Sequence, residues 1–121
     1  MAHVIAFIPD LLFGSQVQGS LRAAGHTVDL VGDESGVRIG LSGANVLVLD
    51  LTDDPERRAG LLRSVPPDER AHVHTLAFYS HVDVDARRMA EQAGCDMVVP
   101  RSRMAREGAE LVAKLASGTG Y

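Results

Sequence analysis

The chain has 121 residues, of which 45% are hydrophobic and 23% are charged, and its formal net charge is −4. This length predicts a single domain over residues 1–121 with one core, and the acidic balance argues against a surface dedicated to nucleic acid. A lone cysteine, Cys95, cannot form an internal disulfide, and no apolar run is long enough to cross a bilayer. The sequence therefore predicts a stand-alone cytoplasmic protein that makes no membrane contact.

The first elements are a strand, a helix and a second strand. Residues 3–8 form a short β-branched apolar run, and the change to spacings of three and four over residues 11–24 predicts a helix. Asp10 stands at the N-cap position of this helix, and Gly25 stands just after its end. Residues 26–32 then predict the second strand.

The middle of the chain holds a weakly patterned segment and then the clearest strand. Residues 33–43 are rich in glycine and predict at most two turns of helix. Residues 44–51 form a continuous apolar run, which is typical of a central parallel strand buried on both faces. Asp54 and Pro55 predict the N-cap and first residue of a helix that runs to about residue 64.

After Pro66 and Pro67 end that helix, strands and helices continue to alternate. The predicted segments are a strand at residues 74–80, a helix at about 84–93, a strand at 97–100 and a helix at about 103–117. We expect the last helix to bury Ala105, Ala109, Val112 and Leu115. Residues 117–121 are predicted to be a frayed tail.

Five strands that alternate with helices predict an α/β domain with a parallel sheet. Right-handed crossovers favour a flavodoxin-like three-layer sandwich with strand order 2-1-3-4-5. In such a sheet, functional groups gather at the carboxyl ends of the two strands that flank the switch point. Here these are the first and third strands. Asp10 and Asp50 follow those strands, so we expect the two carboxylates at one edge.

Four segments at this edge carry a family resemblance. They are FIPDLL after the first strand, LVLDLT after the third, LAFYSH after the fourth, and AGCDMVVPRS around the fifth. In order and spacing the chain resembles, over nearly its full length, the receiver domain of bacterial response regulators. That family places two acids after strand one, a phosphoacceptor Asp after strand three, a Ser or Thr after strand four, and a Lys, usually followed by Pro, after strand five.

The resemblance implies a phosphoacceptor position at Asp50. Ser80 matches the hydroxyl that contacts the phosphoryl group, Arg101 replaces the lysine, and Thr52 is a further candidate for contacting phosphate. Ser80 is equally compatible with an N-cap or turn role. For Arg101 two interpretations stay open: an ion pair with Asp50, or a solvated residue at the end of a strand. Val98 stands where the family usually has an aromatic switch residue.

The metal site implied by the resemblance is incomplete. Asp10 and Asp50 correspond to metal-holding acids, but Pro9 replaces the second acid after strand one. Because Mg²⁺ prefers carboxylates and waters, we expect weak Mg²⁺ binding or none, and no other cofactor. Asp53 or Asp54 is a candidate replacement ligand, although a loop and N-cap role is the first expectation for this pair.

Three functions remain open at this point. The leading hypothesis is an atypical receiver-like signalling domain, not an enzyme, that acts through protein–protein contacts with a histidine kinase, a downstream effector or a second copy. By resemblance, its partner surface includes Arg87, Arg88, Arg101, Arg103 and Arg106. The second is a conventional Mg²⁺-dependent phosphoacceptor, and the third is a flavodoxin-like small-molecule binder or enzyme.

Overall fold

Five parallel strands form the centre of the protein in the computed structural model, which describes residues 2–117. The strands are β1 (His3–Phe7), β2 (Thr27–Val31), β3 (Val46–Asp50), β4 (His74–Tyr79) and β5 (Met97–Pro100). They pair in the order β2-β1-β3-β4-β5, and every pairing is parallel. The predicted strand order and fold class are therefore confirmed. Of the tail predicted at 117–121, residues 118–121 lie outside the described residues, whereas Ser117 is the last residue of the final helix, so the prediction was wrong at that position.

Helices cover both faces of the sheet. They are α1 (Leu11–Ala23), α2 (Glu34–Gly40), α3 (Pro55–Ser64), α4 (Pro67–Arg70), α5 (Val84–Gln92) and α6 (Arg101–Ser117), with a 3₁₀ turn at Leu41–Gly43. One core lies between the sheet and α2, α3 and α5, and the other between the sheet and α1 and α6. None of these helices is long and apolar enough to cross a membrane.

The local signals for β3 and α1 are reproduced closely. All five residues of β3 are buried, as a continuous apolar run predicts for a central parallel strand. The Phe13 N–H donates to Asp10 Oδ1 at 3.1 Å, so Asp10 is the N-cap of α1. Gly25 follows the helix with φ +95°, a backbone conformation that residues other than glycine rarely adopt.

The segment at 33–43 contains the two-turn helix α2, the longest helix that its composition predicts, followed by the 3₁₀ turn. α2 begins at Glu34, and Asp33 caps it by accepting the Gly36 N–H at 2.9 Å. This hydrogen bond, together with one from Ser35, lowers the pKa of Asp33. The glycines are needed for packing, because a Cβ at Gly36 would lie 2.8 Å from Val31 Cβ.

Three expectations were wrong in detail. Pro67 does not only follow α3; it also starts the short helix α4, because proline is well suited to the first turn. α6 begins at Arg101 instead of Arg103, and Ala105 is exposed instead of buried. The larger side chains of Met104 and Leu111 determine the buried face, and Gly108 leaves room for Met104.

The five histidines divide between the two edges of the sheet. His3 and His74 begin β1 and β4, while His26 and His72 lie just before β2 and β4. These four therefore lie at the edge where the strands begin. His81 alone follows the end of a strand, which places it at the opposite edge together with Asp50.

Candidate functional site

Asp50 is the last residue of β3 and is only 2% exposed. Its Oδ1 accepts two hydrogen bonds from Thr52, one from the backbone N–H at 2.8 Å and one from the side-chain hydroxyl at 2.6 Å. A carboxylate with this burial depends on such bonds, because an isolated buried charge is costly. Thr52 therefore holds the Asp50 carboxylate directly.

Arg58 is a second buried charged residue beside Asp50, and the sequence analysis did not identify it. It lies on α3 and is 9% exposed. Its Nη1 donates to the backbone carbonyls of Asp50 at 3.2 Å and Asp53 at 2.8 Å, and its Cζ lies 4.6 Å from the Phe7 ring centroid. The available signal was its spacing of three and four from Leu61 and Leu62, which places it on the inward face of α3.

Arg101 pairs with Asp10 and not with Asp50. The distance from Arg101 Nη2 to Asp10 Oδ2 is 3.5 Å, and the guanidinium carbon lies 4.1 Å from the Phe13 ring centroid. The proposed ion pair with Asp50 was therefore wrong. The reason is the packing of the helices. Arg101 is the first residue of α6, and α6 packs beside α1, which carries Phe13 and has Asp10 as its N-cap.

The predicted phosphate-contacting residues border one open pocket of about 570 Å³, which we call the rim pocket. Thr52, Ser80 and Arg101 all line it, so the structure brings these three candidates together. The remaining lining residues are Phe13, His81, Ser102 and Ala105.

Ser80 does not cap the helix that follows it. Asp83 is the N-cap of α5 and accepts the Ala86 N–H at 3.0 Å. The alternative interpretation of Ser80 as an N-cap was therefore wrong, while its carbonyl does accept the Asp83 N–H in the turn at 2.8 Å. The Ser80 side chain remains a polar group on the wall of the rim pocket.

Asp10 and Asp50, the two acids of the predicted Mg²⁺ site, are each engaged by other groups. Asp10 is held by the Phe13 N–H and by Arg101, and Asp50 is buried against Thr52. Within residues 2–117, no group of three or more His, Cys, Asp or Glu side chains is arranged to hold a metal ion. Because Mg²⁺ is usually held by one or two carboxylates together with waters, its binding at this edge would compete with the contacts that Asp10 and Asp50 already make.

Asp53 and Asp54 are exposed residues of the loop between β3 and α3. Asp54 does occupy the N-cap position before Pro55, as predicted, but its side chain makes no capping hydrogen bond. Its backbone has φ +51° and ψ +59°, which is the left-handed region. Asp53 contributes only its backbone carbonyl, to Arg58.

The arginines of the predicted partner surface are mostly paired with acids of their own helix. The pairs are Arg87 with Glu91, Arg88 with Asp85, and Arg103 and Arg106 with Glu107. The surface is therefore one of mixed charge, as the sequence indicates. The large apolar side chains that are exposed are Leu11 and Leu12 at the start of α1, Ile39 on α2, Val82 just before α5 and Val84 at the start of α5.

No protein-family model and no curated protein matches this sequence. Solved structures of response-regulator receivers do match the fold. A response regulator from Thermotoga maritima superposes with a TM-score of 0.81 at 18% identity, covering 95% of this chain and 97% of that one. A receiver domain of a Francisella response regulator gives a TM-score of 0.82 at 12% identity, covering 99% of this chain and 100% of that one.

A third match concerns a longer protein. NtrX from Brucella abortus, solved in complex with ADP, superposes with a TM-score of 0.77 at 17% identity. The match covers 95% of this chain but 26% of that chain. At these identities the likeness shows the fold, which is the fold of receiver domains, and the chemistry has to be argued from the residues of this chain.

Proposed function

We propose that this chain is an atypical receiver-like signalling domain that works through protein–protein contacts, with Asp50 at the phosphoacceptor position. The receiver fold supports the signalling part of the proposal, and the position of Asp50 at the end of β3 supports the assignment of the acceptor. The lone Cys95, which has no cysteine within the chain to pair with, supports a cytoplasmic setting.

The assignment as an atypical receiver-like domain is supported mainly by the contacts of Asp10. The position before it is Pro9, which has no carboxylate, and Asp10 itself is engaged by Arg101 at 3.5 Å. A second oxygen of the same carboxylate accepts the Phe13 N–H. The acid that would help to hold Mg²⁺ is therefore used to cap α1 and to pair with α6.

The surroundings of Asp50 also disfavour rapid phosphorylation. Transfer would join a carboxylate oxygen to phosphorus, break the bond to the donor's leaving group and give an acyl phosphate. That attack requires an accessible and well-oriented oxygen. Asp50 is 2% exposed, and its Oδ1 is occupied by both hydrogen bonds from Thr52.

Incubation with acetyl phosphate and Mg²⁺, followed by intact mass measurement, tests the proposal. We expect slow phosphorylation or none, with acetate released in proportion to any phosphoryl group gained. The control is Asp50→Ala, checked for folding by circular dichroism. Rapid gain of one phosphoryl group by the wild type and none by Asp50→Ala would overturn the atypical assignment.

A conventional phosphoacceptor is the second candidate function, and one observation favours it. Thr52, Ser80 and Arg101 line the same pocket, and a hydroxyl and a guanidinium are suitable ligands for phosphoryl oxygens. Under this candidate the reaction with acetyl phosphate would be fast and would require Mg²⁺. The same measurement, repeated with EDTA, separates the two candidates.

The proposed partner is a protein: a histidine kinase, a downstream effector or a second copy of the chain. We propose that the arginines between Arg87 and Arg106 form the contact surface. On binding, they would leave the acids of their own helices and pair with acidic side chains of the partner. Once a partner is identified, Arg88→Glu should slow its association, whereas Arg22→Glu on α1 should not. Sedimentation at several concentrations tests the second copy as a partner.

A further inference from the structure

Arg58 is a buried cation that forms no ion pair within residues 2–117. The ion pairs of this part of the chain involve other residues, yet Arg58 is only 9% exposed. A guanidinium stays charged at all ordinary pH values. Burying such a charge costs free energy unless neighbouring groups compensate for it.

The partial compensation comes from groups around the end of β3. Two backbone carbonyls, those of Asp50 and Asp53, accept from Nη1, and the face of the Phe7 ring lies 4.6 Å from Cζ. The carbonyl and the carboxyl group of one aspartate are a few bonds apart, so the guanidinium lies within roughly 8 Å of the Asp50 carboxylate. The buried anion and the buried cation therefore lie within roughly 8 Å of each other, without a direct salt bridge.

We infer that Arg58 is the internal countercharge of Asp50 and the positioning residue of the loop between β3 and α3. This inference deepens the proposed function, on which it rests for the role of Asp50. Its consequence for regulation is that the acceptor position carries a permanent cation from its own chain. The charge balance and loop geometry at Asp50 then do not depend on a bound divalent ion.

Two substitutions separate the charge of Arg58 from its shape. Arg58→Lys keeps a positive charge but cannot bridge two carbonyls and stack on a ring in the same way. Arg58→Gln keeps a polar side chain without the charge. Each is made in the wild type and in Asp50→Asn, which removes the negative charge and keeps the side-chain shape. Arg57→Gln is the matched control, because Arg57 is exposed and pairs with Glu34.

The readout is the midpoint of thermal unfolding in EDTA without any phosphate donor. We expect Arg58→Gln to lower the midpoint by on the order of 10 °C, since it leaves Asp50 uncompensated. Arg58→Lys should recover at least half of that loss. In the Asp50→Asn background the Lys variant should have a midpoint equal to or below that of the Gln variant, because its buried charge then lacks the aspartate, and Arg57→Gln should have the same small effect in both backgrounds.

Two results would overturn the inference: equal midpoints for Arg58→Lys and Arg58→Gln when Asp50 is present, or an unchanged difference between them in Asp50→Asn. If Arg58→Gln fails to fold in the wild type, folding in Asp50→Asn supports the countercharge and failure in both backgrounds refutes it. Because no phosphate donor is present, rapid phosphorylation in the earlier assay would overturn the proposed function alone.

Discussion

Phe13 connects the core to the rim pocket, and its replacement by leucine should show how much this connection contributes to stability. Its ring contacts Phe78 edge to face, with centroids 5.3 Å apart and an interplanar angle of 63°. The opposite contact is with Arg101, whose guanidinium carbon is 4.1 Å from the ring centroid. Phe13→Leu keeps an apolar side chain of similar size and removes both aromatic contacts.

The expected loss follows from the two contacts. An edge-to-face pair contributes about 0.5–1.5 kcal/mol beyond area burial, and a cation–π contact with a half-exposed arginine about 0.5–1 kcal/mol. The free energy of unfolding should therefore fall by about 1–2.5 kcal/mol. With a urea m-value of about 1–3 kcal/mol/M, this is a midpoint shift on the order of 1 M.

Urea unfolding of Phe13→Leu in the wild type and in Arg101→Met isolates the cation–π part. The loss should be about 0.5–1 kcal/mol smaller when Arg101 is already absent. If both backgrounds lose the same free energy, to within about 0.3 kcal/mol, the guanidinium contributes nothing through the ring. Our account of how Arg101 is held at the rim would then be wrong.

The remaining predictions concern single positions. Asp83→Ala removes the hydrogen bond to the Ala86 N–H and should cost about 1 kcal/mol in urea unfolding, whereas Asp54→Ala removes no cap and should cost much less. Asp54→Gly should stabilise the protein by about 0.5–1 kcal/mol in the same assay, because φ is +51° there; a loss would refute the strain argument. Burial raises the pKa of Cys95 to about 12, so the thiol should react with a disulfide reagent at pH 8 far more slowly in the folded protein than in urea. Because the folded protein holds this proton more tightly, stability should fall as pH rises from about 9 toward 12, and this fall should be smaller in Cys95→Ala.

Most element bounds could be predicted because their signals are local, and the sheet order followed from the alternation of strands and helices with right-handed crossovers. The apolar run of β3, the Asp10 cap and Gly25 each depend on neighbouring residues only. The length of α2 could be predicted only as an upper limit of two turns, because the contacts that require its glycines are tertiary. Its glycines lower helix propensity, but Gly36 is required by its contact with Val31 on the preceding strand, and Gly40 by its contact with Ile5 on β1.

The candidate site was predictable in position and less so in its contacts. Asp50, Thr52 and Ser80 stand at strand ends, so the parallel sheet alone brings them to one edge. The partner of Arg101 could not be predicted, because it depends on how α6 packs on α1 and on the residue at which α6 begins. Arg58 was overlooked because arginine is rarely buried, and only its tertiary contacts show that it is.

The position of His81 gives this protein a native reporter. The chain contains no tryptophan, so intrinsic indole fluorescence cannot follow events at the site. The imidazole protons of His81, which lines the rim pocket, give magnetic resonance signals that should move when a ligand or partner occupies that edge. The other four histidines lie at the opposite edge and serve as an internal reference in the same spectrum.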